Sequence, residues 1–312
     1  MLQHFPGTWS FPASWHSLGE LSRYGSLPGW VKLWRAVSIL LLPGAGFLAY
    51  LWPQPVIWLG CSLMVLLLLL SWLWLATAPR REMLRYLQEG GLAPLSERQR
   101  RALQPNIVHC YNRGWWIETL EMWPCSHRLH HTRGYWLLDI EAEPACSRSS
   151  LKSDWDIESR EDYLQMFDRL RQGLHTQYLL SPDASAAYVN LTDELAWLTQ
   201  SDPKRVARLW QEQDGKPAHL IWGFDLWRAS NMARMAWQAQ YISEAEAWAH
   251  IEAVAEQIFQ RFASLDEFFF SYLVGFAFWN RDKAECEERV SFYTVFVRQC
   301  HWPRAKTLWG WQ

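Results

Sequence analysis

The stretch between Ala36 and Ala78 limits what this chain can fold into more than any other. "AVSILLLPGAGFLAYLW" (36–52) and "VIWLGCSLMVLLLLLSWLWLATA" (56–78) carry no charged residue, and only Pro53-Gln54-Pro55 separates them. As helices the second run reaches about 34 Å, enough to cross a hydrocarbon core of about 30 Å, and the first about 26 Å. Pro43-Gly44 in the first predicts a kink. The segment "LMVLLLLLSWLWL" has no polar face to turn toward water, so lipid is its expected surroundings. Two such runs joined by so short a connection predict a hairpin with both ends on one side.

Flanking charge orients it. Arg23, Lys32 and Arg35 precede the hairpin, Arg80, Arg81 and Arg85 follow it, and the connection has none. The positive-inside rule then predicts that both termini lie in the cytoplasm. Residues 1–35 lack a basic region leading into an apolar core and are expected to be a cytoplasmic lead, not a signal peptide. Trp9, Trp15 and Trp30 there suit the interface; the whole chain has 23 Trp, a residue at home in thick cores and lipid-water boundaries. The expected organisation is this lead, the 36–78 hairpin, a juxtamembrane helical linker region over 79–150, and a helical domain over 151–312.

Of the 30 basic and 32 acidic residues, three and one precede Pro79, which leaves 27 against 31 and a formal charge of −4 on the polar part. That argues against nucleic acid as a partner. The expected partners are the bilayer and another protein. Six scattered cysteines form no framework and are expected to be reduced.

Helical signals follow the membrane. "RREMLRYLQEGGLAPLSERQRRAL" predicts a helix that breaks at Gly90-Gly91 and restarts after Ser96. "SREDYLQMFDRLRQGL" has Ser159 as cap and Tyr163, Phe167, Leu170 and Leu174 at helical spacing. "LTDELAWL" and "SDPKRVARLWQEQ" are further helical pieces, the latter capped by Ser201 or Asp202. A helix over Trp222–Gln240 puts Trp222, Leu226, Ala229, Ala233 and Ala236 on one face. Ser243 with Glu246, and Ser264 with Glu267, predict capping boxes. "SLDEFFFSYLVGFAFW" is apolar nearly all round, as for an enclosed helix, with Gly275 admitting a close neighbour. "YWLLDIE" and "VSFYTVFV" are the only strand-like pieces. The expected fold class is mainly α: the transmembrane hairpin plus a helical cytoplasmic domain with at most minor β.

Several of these residues recur as a set. They are Trp155–Ile157, the helix from Ser159, Asp225, Arg228, Asn231, Ala233-Arg234, Tyr241-Ile242, Ala247-Trp248, Ser264, Glu267-Phe268, Tyr272, Gly275 and Trp279. In that spacing, over roughly Leu151 to Trp279, the chain resembles a bacterial family known as domain of unknown function 1266, with a weaker echo in "WPRAKTLWGW". Gln240 and Leu265 depart from the family's usual Gly and Trp. The resemblance implies a helical bacterial domain and brings no activity, cofactor or catalytic residue.

The polar cluster Asp225, Arg228, Asn231 and Arg234, with Trp155, is the main candidate site. Steps of three rotate by −60°, so these groups fan over half the helix, and Asp225 and Arg228 are placed to pair as i, i+3. The favoured role is a structural latch; the alternative is a clamp in which Arg228 and Arg234 hold an anionic group. His109, Cys110, Cys125, His127, His130 and His131 are permissible zinc ligands, but adjacent His109-Cys110 is a poor arm of a metal site. They are expected to be ordinary loop and surface residues, with no metal and no cofactor. The sequence has no G-x-S-x-G, P-loop, G-x-G-x-x-G or H-E-x-x-H. "EAEP" and "DEL" supply only neighbouring carboxylates, Cys286 and Cys300 are expected to be inert, and Trp302, Trp309 and Trp311 to pack on the domain or headgroups. Together these point to a membrane-anchored, non-catalytic binding or interaction module, with a toxin-system immunity or accessory protein as one concrete version. The alternatives are an enzyme acting on a small anionic substrate through Asp225, Arg228, Asn231 and Arg234, and an oligomeric membrane scaffold.

Overall fold

A computed structural model describes residues 28–138, 140, 144–180, 190–212, 215, 217–300 and 309–311. Arg23, Trp9, Trp15, Trp302 and the carboxylates of "EAEP" lie outside them. The described residues contain helices and no strand. They divide into two compact units.

The first unit holds the described residues up to Leu92 together with Arg128–Ile140. Helix α1 (Gly29–Leu51) and helix α2 (Pro55–Glu89) pack on each other. Both are long and apolar enough to cross a membrane. The helix of α1 runs through Pro43 and begins before the apolar run does, so its 23 residues give about 34 Å, where the sequence expectation was shorter. At 35 residues α2 is about 52 Å long, some 20 Å more than a bilayer core requires. Val31, Ser38, Ala45 and Ala49 of α1 and Leu68 and Leu75 of α2 are buried, whereas Leu40, Leu59, Leu63 and Leu73 face outward, where lipid would cover them. The polar end of α2 is tied to a returning segment. Glu82 accepts backbone N–H groups from Trp136 (3.0 Å), Leu137 (2.8 Å) and Leu138 (2.9 Å), and the Tyr135 hydroxyl donates to Glu89 (2.9 Å). "YWLL" is therefore an irregular clasp whose backbone donors are consumed by a carboxylate, not a strand.

The second unit contains Ala93–His127 and the described residues from Pro144 on. Residues 93–127, expected as a linker, thus belong to the same compact body as the C-terminal helices. Its elements are α3 (Glu97–Ala102), α4 (Ile107–Arg113), α5 (Pro144–Trp155), α6 (Arg160–Arg171), α7 (Leu174–Leu179), α8 (Leu191–Leu198), α9 (Pro203–Arg208), α10 (Trp222–Gln238), α11 (Glu244–Arg261), α12 (Leu265–Asn280) and α13 (Lys283–Gln299).

Local chemistry starts most of these helices. Ser96 with Gln99 and Ser243 with Glu246 form complete capping boxes, and Ser159, Asp202, Ser264 and Asp282 accept from first-turn N–H groups. Glu267 reaches back to the N–H of Ala263 instead of Ser264, so the second predicted box is a cap of a different pattern. Helix α10 lies at the centre, against α12, α11, α6, α5 and α7. Phe268 through Phe278 of α12 are all buried. Gly275 is what lets α10 approach: a Cβ there would overlap Phe224 and come within 3.0 Å of the Ile221 Cβ. "VSFYTVFV" falls inside α13, where Phe292 and Phe296 pack inward at helical spacing. Its β-branched and aromatic content suggested a strand, and the Asp282 cap and inward face decided otherwise.

Candidate functional site

The four polar residues of α10 have separate destinations. Asp225, wholly buried, turns to the start of α7. That helix begins at Gly173, which has φ +83° and no side-chain cap, and where a Cβ would meet the Trp222 ring at 2.7 Å. Asp225 supplies the missing cap from another helix: Oδ1 accepts from the His175 N–H (3.1 Å) and Oδ2 from the Thr176 N–H (2.9 Å) and hydroxyl (2.8 Å). The His175 Nδ1 lies 2.6 Å from the same carboxylate.

Arg234, also wholly buried, is wrapped in carbonyls of the 116–121 loop. Its Nε donates to Leu120 O (2.8 Å), and Nη2 to Trp116 O (2.5 Å), Glu121 O (2.9 Å) and Thr119 O (3.4 Å). The guanidinium fixes a segment that has no regular ladder of its own. Asp225 and Arg234 are therefore internal ties, and neither reaches a cavity.

Arg228 and Asn231 do. They line a cavity of about 720 Å³ whose walls come from α10, α12, α5, α4, α13 and the loop before Cys125. Its deep residues are His109, Tyr272 and Phe224, and exposed Asp154 and Trp279 stand at the rim. The expected Asp225–Arg228 ion pair does not form, because the Asp225 carboxylate is already saturated by α7. Arg228 makes no ion pair among the described residues. Its Nη1 sits 3.3 Å from His175 Nε2. The His175 ring thus lies between the Asp225 carboxylate and the Arg228 guanidinium. The guanidinium lies 3.7 Å from the centre of the Trp155 ring, with Phe224 and Trp279 at 4.9 and 5.0 Å. Burial pulls its pKa down to about 10, with Asp225 opposing, so it stays charged at neutral pH. Of its five N–H donors, Nη1 alone is within hydrogen-bond reach of another described group. Arg113 and Arg289 also line the space, but both lie 3.6 Å from Glu288.

His109 was expected as a surface or loop histidine. It is a buried residue of α4, its ring centre 4.1 Å from that of Trp227 and 4.5 Å from that of Tyr272. Burial, with Arg289 and Arg113 nearby, holds its pKa well below the ordinary histidine value, so it is neutral. Neither of its ring nitrogens has a hydrogen-bond partner, nor has Trp227 Nε1 or Asn231 Oδ1. Among the described residues no three His, Cys, Asp or Glu side chains gather as a metal set. Burial raises the Cys286 thiol to about 11, which suits an inert role. Trp309 and Trp311 pack edge-on against Phe259 of α11. His175, Trp227 and His109 were not among the expected site residues; the uncapped Gly173 start of α7 was the one available hint that an outside acceptor was needed.

The family described as protein of unknown function (DUF1266) matches residues 150–309, just over half of the chain. The chain belongs to the DUF1266 family. Trp155, Arg228, Asn231, Tyr272 and Trp279, all cavity residues, lie within the DUF1266 match, whereas His109 precedes it. A curated relative, the inner membrane protein YnjI of Escherichia coli (strain K12), is 25% identical over 267 residues, covering 80% of this chain and 77% of its own. No solved structure matches. The relative and the two apolar helices make this DUF1266 chain a membrane protein.

Proposed function

We propose that this is a membrane-anchored, non-catalytic binding module of the bacterial inner membrane, with both termini cytoplasmic, whose cavity takes a small anion with an apolar body. The observation that carries the reading is Arg228: a half-buried guanidinium that makes no ion pair among the described residues, lies 3.3 Å from His175 Nε2 and lines an aromatic cavity. Burying an unpaired cation is costly, and a ligand anion is the group that would offset the cost. The volume suits it, since small-molecule sites run about 300–1,000 Å³. The orientation rests on Lys32, Arg35, Arg80, Arg81 and Arg85 at one end of the hairpin and an uncharged Trp52–Gln54 connection at the other.

An enzyme built on Asp225, Arg228, Asn231 and Arg234 together is not proposed, because two of the four are used up as internal ties. The narrower toxin-immunity reading and a protein partner gain no supporting observation.

The test is calorimetric titration of the full-length detergent-solubilised protein with naphthalene-2-carboxylate. A charge-assisted hydrogen bond contributes about 1.5–3 kcal/mol, so Arg228→Met should weaken binding roughly 10- to 100-fold. No binding at millimolar acid, or equal binding by the variant, would overturn the assignment.

A further inference from the structure

We propose that a cleft at the polar end of the hairpin is a binding site for an anionic phospholipid, with Arg81 on the lipid phosphate and Trp74 and Trp136 beside it. The cleft measures about 310 Å³ and lies wholly within the first compact unit, between α2 and the clasp that Glu82 holds. Its lining includes Arg81, Arg85, Glu82, Trp74 and Trp136.

Depth along the helix fits a headgroup. Helix α2 begins at Pro55, so Trp74 stands about 28 Å along the axis, where a hydrocarbon core of about 30 Å ends. Arg81 starts about 10 Å further on, yet its side chain turns back toward the apolar run. Its Nη2 donates to Trp74 O (3.0 Å) and its Nη1 to the Thr77 hydroxyl, and both contacts lie at the surface. The guanidinium also sits 5.0 Å from the centre of the Trp74 ring. It is thereby held at the level of the lipid phosphates, not out in the water beyond them. Arg81 is exposed and makes no ion pair among the described residues. Trp74 and Trp136 are 52% and 64% exposed, the position of indoles that rest among headgroups. Trp136 comes from the clasp, so the fold brings a second indole to the cleft from a distant part of the chain.

The other charged groups of the lining are already engaged. Glu82 is spent on the backbone N–H groups of Trp136, Leu137 and Leu138. Arg85 pairs with Glu89 (2.7 Å) and donates to the carbonyls of Gly134 and Arg133. Arg81 therefore carries the charge left over for a ligand. The wider distribution has the same sense: residues 11–92 and 128–140 hold eight basic and four acidic residues, a formal +4, whereas the rest of the chain has 22 against 28 and is −6. Such a basic collar favours an anionic lipid over a zwitterionic one.

The experiment is native mass spectrometry of full-length protein in detergent containing equal amounts of dioleoyl phosphatidylglycerol and dioleoyl phosphatidylcholine, which share their chains and differ in charge. One basic side chain near an anionic headgroup favours it about fivefold, so the wild-type chain should retain phosphatidylglycerol over phosphatidylcholine by at least about that factor. Arg81→Gln should bring the ratio near one. Lys204→Gln, which removes an exposed charge from the helical unit, should leave it unchanged. Equal retention of the two lipids by the wild-type chain would overturn the site. So would a preference that a folded Arg81→Gln variant keeps, or one that Lys204→Gln lowers as much. Retention of added glycerol 1-phosphate in place of phosphatidylglycerol would overturn it as well, by showing that a free phosphate ester is the ligand.

Discussion

Arg228 and Arg234 stand six residues apart on one helix, and the structure predicts opposite consequences for losing them. In Arg234→Met, Trp116 O keeps a contact from the Cys110 thiol and Glu121 O keeps the Thr119 hydroxyl, so these are not orphaned. Leu120 O and Thr119 O have no other donor among the described residues. At ~1–3 kcal/mol for each buried acceptor left unpaired the loss is ~2–6 kcal/mol. Removing a buried cation recovers part of this, leaving ~2–4 kcal/mol. For a domain of about 200 residues that lowers Tm by roughly 5–15 °C. Arg228→Met forfeits one 3.3 Å contact with His175 and its ring interactions, ~0.5–2 kcal/mol, and is relieved of a desolvated charge. Its net change should stay within ~1 kcal/mol, about 3 °C. The assay is thermal unfolding of full-length protein in detergent, followed by near-UV circular dichroism. Equal shifts for the two variants would refute the division into tie and ligand group.

Three further expectations follow from single residues. Gly275→Ala adds a Cβ against Phe224 and Ile221, so it should destabilise by ~1–3 kcal/mol despite a better helix propensity, and an unchanged denaturation midpoint would contradict the close packing of α10 on α12. His109 is neutral in the fold because burial depresses its pKa. Below the unfolded value of about 6.5 the unfolded chain binds a proton that the fold does not, so stability falls as pH falls, by up to ~1.4 kcal/mol per pH unit from this residue; His109→Phe should remove that share from denaturation measured at pH 7 and pH 5, and identical slopes would contradict it. Cys146 is exposed on the helical unit, so an impermeant maleimide should label it after lysis and not in intact spheroplasts; labelling of intact spheroplasts would reverse the orientation.

The parts legible in the sequence were those governed by neighbours in the chain. Ser96, Ser159, Ser243 and Ser264 mark helix starts because a hydroxyl needs only the N–H three residues on. The apolar girth of α12 and the gap at Gly275 were legible for the same reason, being properties of one helix. What escaped was set by distant segments. Asp225 looked like a partner for Arg228 because they are three apart, but the unfilled donors of α7, 50 residues away, claimed it first. His109 sits in a polar-looking stretch, and the packing of α4 against Trp227 of α10, Tyr272 of α12 and Phe292 of α13 buries it. "VSFYTVFV" has the composition of a strand, and no partner strand exists for it to pair with among the described residues.

The central claim is that one cavity in the helical unit holds a small anion through Arg228. Native mass spectrometry of full-length protein released from detergent, with naphthalene-2-carboxylate added at millimolar concentration, tests it most directly. One acid should remain per wild-type chain, and Arg228→Met should retain a clearly smaller fraction at the same concentration. A wild-type chain that carries no acid, or a variant that carries as much, would contradict the claim.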